Sequence, residues 1–336
     1  MMDKIISEDL EKIKSAIKGE AFTGKKILVT GGAGFIGSWL CDVLINLDTK
    51  VTAVDDLSTG RAENIDHLIK NSLFKFVKSD VCKFESSERF NYIFHMAGHA
   101  SPDEYQAHPI ETLQTSASGT FHIAELARKN NARLLFASTS EVYGDTEIIP
   151  TPETYWGKVN PIGPRSCYDE GKRFAEALLM AYLKQYDLDI RLPRIFNSYG
   201  PRLREDGLYG RAMSRFILQA LTGQPITVFG DGKQSRSFCY ITDTVTGLML
   251  LMAIPKAKGE VVNVGNTKEI TILELAEKIR EITKCKSSLE FHTLPKDDPK
   301  RRCPDTIKLE KLVGWKPNVS FEDGLKKTIT WFSKKN

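Results

Sequence analysis

The stretch VTGGAGFIG, residues 29–37, decides the fold. It closes the β-branched run KKILVTGG, opens a helical stretch over residues 35–47, and sets Gly31, Gly34 and Gly37 three residues apart. Glycines so spaced between a strand and a helix permit a tight turn, close approach of backbone to a pyrophosphate, and close helix–strand packing. Phe35 and Ile36 fall in the first helical turn, whose amides then face the phosphates. A second strand, KVTAVDD, ends in Asp55, a carboxylate placed to bind both hydroxyls of a ribose and to repel a 2′-phosphate. NAD is therefore expected rather than NADP; Arg61, close by, is the feature that speaks for the phosphorylated cofactor. Asp80 and Val81 follow the third strand, LFKFVKSDV, where an adenine ring is expected, a plain strand-end turn being the alternative.

Outward from this stretch, strands and helices alternate. NYIFHMAG, ARLLFASTS and DIRLPRIF are short runs rich in β-branched or aromatic residues, and amphipathic stretches over 110–129 and 169–186 lie between them. This pattern predicts the α/β class: a Rossmann-type, doubly wound parallel sheet covered on both faces. After about residue 193 the rhythm gives way to loops rich in Gly, Pro and Arg, with shorter elements such as PITVFGDG and a helix over 273–283. A smaller, partly interleaved α/β domain is expected there. The expected division is a helical extension over 1–24, an NAD-binding domain over 25–193 that takes back part of 234–258, and a substrate-binding domain over 194–336. In the extension, Ile6, Leu10, Ile13 and Ile17 recur at helical spacing after a capping candidate at Ser7, Glu8 and Asp9, so a helix packed on the body or on a partner subunit is expected.

Composition narrows the class of ligand. With 41% hydrophobic and 27% charged residues the chain reads as an ordinary globular protein. The net charge of +4 is mild and spread along the chain, without a basic stripe interleaved with aromatics, so an anionic small molecule is expected and a nucleic acid is not. Six cysteines show no C-x-x-C pair and no matching histidine spacing, so neither a metal site nor a disulfide framework is expected. The charged first 22 residues lack a signal-peptide core, and the longest apolar run, GLMLLMAI at 247–254, is too short to cross a bilayer. A cytoplasmic protein with no membrane partner is expected.

The chemistry is carried by two further stretches. ASTSEVYGD presents Thr139, Ser140 and Glu141 at the carboxyl edge of the sheet, where such folds bind ligands. In NPIGPRSCYDEGKRFAEALL, residues 160–179, Tyr168 and Lys172 stand four apart and share a helix face. Alone the pair reads as a solvated surface couple. Combined with a strand-end hydroxyl and a dinucleotide fingerprint, it reads as a phenol that takes the proton of a substrate alcohol as hydride leaves. Lys172 is then expected to depress the phenol's pKa and hold the cofactor ribose, and Thr139 to hydrogen-bond the reacting oxygen.

These residues give the chain a resemblance, from about residue 25 to residue 332, to the extended short-chain dehydrogenase/reductase family of nucleotide-sugar epimerases, dehydratases and decarboxylases. Within it the chain is most similar to the UDP-glucuronate decarboxylases, on the segments ASTSEVYGD, NPIGPRSCYDEGKR, RIFNSYGPR, FILQAL, DDPKRRCPD and GWKP. The resemblance implies a nucleotide-sugar substrate held by Ser140, Asn197, Arg202, Arg236 and Arg302, the last entering the site from the second domain and also serving catalysis. On residues alone, Arg302 belongs to a charge run that reads as a solvated loop. Ser140 stands where related 4,6-dehydratases carry an aspartic acid, and simple 4-epimerases usually lack an acid at the position of Glu141. The pair therefore points to decarboxylation of UDP-glucuronate to UDP-xylose through a 4-keto intermediate, with Glu141 acting at C5 and NAD recycled. A 4-epimerase or dehydratase is the alternative, and a non-catalytic NAD sensor a weaker one. The resemblance also implies a homodimer through helices at 110–129 and 168–186. Against the usual pattern, Gly98 and His99 replace a Ser-Pro pair, Ser116 replaces an asparagine, and the loop at 203–211 is longer. His99 is a candidate sugar contact, with a plain loop histidine as the alternative.

Overall fold

In a computed structural model, which describes residues 3–17, 19–205 and 211–335, seven parallel strands lie side by side. They are β1 (Lys26–Thr30), β2 (Lys50–Asp55), β3 (Phe74–Lys78), β4 (Tyr92–His95), β5 (Arg133–Phe136), β6 (Ile190–Ile195) and β7 (Glu260–Val264), in the order β3-β2-β1-β4-β5-β6-β7. A two-residue strand, Ser138–Thr139, adds to the edge of β6 just beyond β5. The order reverses between β1 and β4, where Thr30 pairs with His95, and a crevice opens there at the carboxyl ends of the strands.

Period-two alternation sends each strand's side chains to two separate cores. Ile27, Val29, Val51 and Phe94 pack with Trp39, Leu40 and Leu44 of helix Phe35–Ile45 and with Leu248 and Met249 of helix Ile241–Ala253. Leu28, Val54, Ile93 and Leu134 face the other way, onto Ile123 and Ala127 of helix Thr120–Asn130 and Ala175 and Leu179 of helix Ser166–Tyr186. The expected doubly wound sheet is present.

Beyond β6 lie smaller elements. Strand Ser235–Ser237 pairs antiparallel with Glu269–Thr271 and parallel with Arg301–Arg302, and Ile226–Phe229 pairs with Leu289–His292. Between them, helix Ile241–Ala253, inside the 234–258 window expected to return, packs on the main sheet, and β7 follows it into the sheet alongside β6.

Two helices differ from their expected form. The N-terminal helix is Lys4–Ala16, and its cap is Asp3, which accepts from the Ile5 amide at 2.8 Å, rather than the Ser7–Asp9 group. Asp9 instead points into the body, fully buried, accepting from Tyr240 Oη at 2.6 Å and pairing with Lys327. With Ile6, Leu10 and Ile13 also buried, this helix is fastened to the body by its apolar face and by one internal carboxylate. The stretch expected as one helix over 110–129 is Pro109–Gln114 and Thr120–Asn130 joined by a π turn, Thr115–Gly119. Small residues make that widened turn possible: a Cβ on Gly119 would meet Val81 Cγ1 at 2.8 Å, and one on Gly171 would meet Ser116 Cβ at 3.0 Å. The π turn presses on both the end of the β3 segment and the helix that carries Tyr168, where widened turns often mark functional sites.

Candidate active site

Gly31, Gly34, Phe35, Ile36, Gly37, Asp55, Asp80 and Val81 line one cleft, which continues past Thr139, Ser140, Glu141, Tyr168 and Lys172 to Asn197. Two glycines are required by the geometry. Gly31 has φ +65°, and a Cβ there would lie 2.8 Å from the Ala97 amide; a Cβ on Gly37 would lie 2.0 Å from the Gly31 carbonyl oxygen. Their bareness brings the first turn of helix Phe35–Ile45 against β1. The first intrahelical bond there runs from Ser38 to Gly34, so the amides of residues 35–37 precede it and are available to phosphate oxygens. Asp55 accepts from the Ala33 amide at 3.0 Å and the Leu57 amide at 2.9 Å, while burial raises its pKa. Arg61 lies outside the cleft lining. A strand-end carboxylate, open helix amides and, among the described residues, no lining cation beside the carboxylate fit a dinucleotide without a 2′-phosphate.

At the reacting end, the strand Ser138–Thr139 carries Thr139 into a short turn, Ser140–Tyr143, that Thr139 Oγ1 caps by accepting from the Glu141 amide at 3.3 Å. Tyr168 stacks face to face on Tyr105, ring centroids 5.1 Å apart and planes within 4°. Burial raises the Tyr168 pKa; a hydrogen bond with Thr139 and the charges of Arg211 and Arg165 pull it back. Here the structure corrects the sequence expectation for Lys172. Its Nζ donates to the Ala137 carbonyl at 2.8 Å and stands 4.6 Å from the Phe136 ring centroid, against 5.9 Å from that of Tyr168. The charges that lower the phenol's pKa most are arginines, not this ammonium. Burial lowers Lys172 itself to about 8, with Glu176 opposing.

The sugar end is built from distant segments. Glu141 forms ion pairs with Arg165, just ahead of the Tyr168 helix, and with Arg302, delivered by strand Arg301–Arg302. Among the described residues the cleft wall includes Glu141 and Arg165, and Arg302 stands directly behind Glu141. Both guanidiniums have a buried Nε without a hydrogen-bond acceptor. Arg236 lies in register with Arg302 on the neighbouring strand and donates to Asp298 at 3.0 Å; it too stands behind the wall. Asn197 lines the cleft with its side-chain amide nitrogen buried and unpartnered, a donor suited to a ligand oxygen.

Arg202 does not belong with these. Its φ of +70° turns it back onto helix Phe35–Ile45, where it pairs with the buried Asp42 at 2.7 Å and lies over Trp39. This is a structural pair, and the substrate role expected for Arg202 is withdrawn. Within the loop at 203–211, residues 206–210 lie outside the described residues. Arg165, Tyr105 and Asp298 join the site although nothing above placed them there. Arg165 had a signal, standing three residues before Tyr168, one helical turn away; the other two had none.

Residues 27–265 match the model of the NAD dependent epimerase/dehydratase family. UDP-glucuronic acid decarboxylase 1 of Danio rerio is 48% identical over 310 residues, covering 92% of this chain and 73% of that protein. Among solved structures, an epimerase from Methanothermobacter thermautotrophicus superimposes with a TM-score of 0.87 at 28% identity, covering 98% of this chain and 96% of that one. A UDP-glucuronic acid 4-epimerase variant from Bacillus cereus, solved with NAD and a fluorinated UDP-glucuronic acid, gives 0.84 at 29%, covering 93% and 100%. The strand order, the glycine turn and the matched span place the chain in the NAD dependent epimerase/dehydratase family.

Proposed function

We propose that the protein is an NAD-dependent decarboxylase that converts UDP-glucuronate to UDP-xylose through a 4-keto intermediate. The observation that carries this reading is the clamp of Glu141 between Arg165 and Arg302 at the sugar end of the cleft. Two guanidiniums with spare Nε–H donors suit a substrate that brings its own carboxylate. The decarboxylase relative from Danio rerio supports the same substrate.

NAD, when bound, supplies the acceptor and later the donor of a hydride at C4. The chain's own residues do the rest. Tyr168 takes the C4 hydroxyl proton and returns it at the end, with Thr139 hydrogen-bonded to the same oxygen. Tyr105 shields one face of the phenol. A 4-ketone lies β to the C6 carboxylate, so the C5–C6 bond breaks with its electron pair entering an enolate and carbon dioxide leaving. Arg165 and Arg302 hold the carboxylate while it is bound. Glu141, which shares those arginines, is released from them as the substrate carboxylate arrives and is then free to direct a proton to C5.

We also propose a homodimer through the helices at 110–129 and 168–186, on which Ile110, Leu113, Phe121, Phe174 and Met180 are exposed apolar residues. None of the described helices is long and apolar enough to cross a membrane. Six unpaired thiols support a reducing compartment such as the cytoplasm. The division into an NAD-binding part over 25–193 and a nucleotide-sugar part over 194–336 is retained as a proposal, with β7 assigned to the former.

Incubation of the purified protein with UDP-glucuronate and NAD tests the function. A UDP-pentose with one carbon dioxide per turnover is expected, by mass spectrometry and NMR. A product of unchanged mass inverted at C4 overturns the reading in favour of an epimerase.

A further inference from the structure

His99 lies in the cleft wall with Ser58, on the side that carries Asp55 and Asp56, and is nearly buried. Its neighbours fix its tautomer. Thr112 Oγ1 donates to the His108 carbonyl at 2.7 Å, so its oxygen is left to accept, and His99 Nδ1, 3.0 Å away, carries the proton that it accepts. On the other side, the single proton of Ser58 Oγ is committed to an Asp56 carboxylate oxygen at 2.6 Å. His99 Nε2, 3.4 Å from that hydroxyl, receives no proton from it. The ring therefore offers a bare acceptor at the Ser58 side of the cleft, held in place through Nδ1 by the helix Pro109–Gln114.

We propose that His99 Nε2 accepts a hydrogen bond from a ribose hydroxyl of the bound dinucleotide at the Asp55 end of the cleft. This rests on the NAD reading of that cleft. A hydroxyl donor matches the vacancy in a way that a phosphate, which only accepts, does not. Burial lowers the His99 pKa, with Asp56, Glu104 and Glu111 opposing and His108 adding to the depression, so the acceptor form is the one present at neutral pH. His99 is thus placed on the cofactor side rather than at the sugar.

The test is NAD binding by calorimetry between pH 5 and 8, for the wild type, His99→Ala and His99→Gln. Loss of one hydrogen bond weakens NAD roughly three- to tenfold in His99→Ala at pH 7.5, whereas His99→Gln, which keeps an acceptor near the same place, stays within about twofold. Wild-type affinity falls as the pH drops below the ordinary histidine range, because protonated Nε2 cannot accept, and the His99→Gln profile is flat there. If His99→Ala fails to fold, that contrast of profiles decides alone. Unchanged NAD affinity in His99→Ala overturns the inference and makes the histidine a latch between two loops. Wild-type affinity that rises on acidification also overturns it, in favour of a cationic phosphate contact. A wild type that binds no NAD refutes instead the reading of the cleft on which the inference stands.

Discussion

Glu141→Gln is the most informative single substitution, because it removes the shared anion of two arginines with little change of shape. Arg302 is only 4% exposed, and its partner in the structure is Glu141. Breaking a buried ion pair on one side costs about 3–5 kcal/mol through the charge left behind. The lower end applies here: the glutamine oxygen can still accept one hydrogen bond, and Arg165 has Asp169 and Asp298 at 3.9 and 4.0 Å. At roughly 2 °C per kcal/mol for a chain of this size, the variant should melt ~6 °C below wild type. If the clamp is also the site for the substrate carboxylate, UDP-glucuronate should fill the vacancy. A ligand at a hundred times its Kd contributes about 2.7 kcal/mol, nearly the whole deficit. Thermal unfolding followed by fluorescence, without added NAD, measures this with UDP-glucuronate against UDP-glucose, which lacks the carboxylate. The expected result is a larger upward shift for the variant than for wild type, with UDP-glucuronate alone. Equal melting of the two ligand-free proteins, or equal rescue by UDP-glucose, would refute the argument.

Tyr168→Phe should lower turnover by ~10²- to 10⁴-fold while leaving NAD affinity unchanged, as measured by carbon dioxide release and by titration; near-normal turnover removes Tyr168 from the chemistry. Lys172 has a folded pKa of about 8 against 10.5 for its ordinary value. The unfolded chain therefore holds this proton between those pH values while the folded chain does not. The cost of burying the charge is complete below pH 8 and is released as the pH rises to 10.5. Urea unfolding should thus find the stability of wild type rising relative to Lys172→Met across that window, and a constant difference would refute the assignment. Arg202→Ala should destabilise the fold by about 2–3 kcal/mol, because the buried Asp42 loses its guanidinium and keeps His67 Nε2 at 2.6 Å, yet leave KM for the sugar unchanged; a raised KM would restore Arg202 to the substrate site.

Short-range spacing encodes the part of this protein that is legible before folding. Gly31, Gly34 and Gly37 lie within seven residues, Asp55 ends an unmistakable strand, and Tyr168 and Lys172 are one helical turn apart, so each spacing is local, although the Tyr168–Lys172 pair takes its meaning only beside the glycine turn and Thr139. The periodicities of two and of three to four residues likewise determined the doubly wound sheet. Tertiary structure alone decided what each charge touches. Glu141 is clamped by arginines 24 and 161 residues away, and no local pattern ties those segments together. Arg202 stood next to a motif and was read as part of the site, but one left-handed backbone angle aims it at Asp42 in another element. Lys172 shares a helix face with Tyr168 as spacing requires, yet which carbonyl and which ring its ammonium meets depends on β5 beneath it. Asp9 shows the same limit: at the start of a helical pattern it reads as a cap, and only the placement of Tyr240 and Lys327 makes it an internal anchor. Helices and strands follow from the order of side chains along the chain, whereas burial and ion pairing follow from which distant segments pack together, and it is burial that raises the pKa of Asp55 and Tyr168 and lowers that of His99 and Lys172.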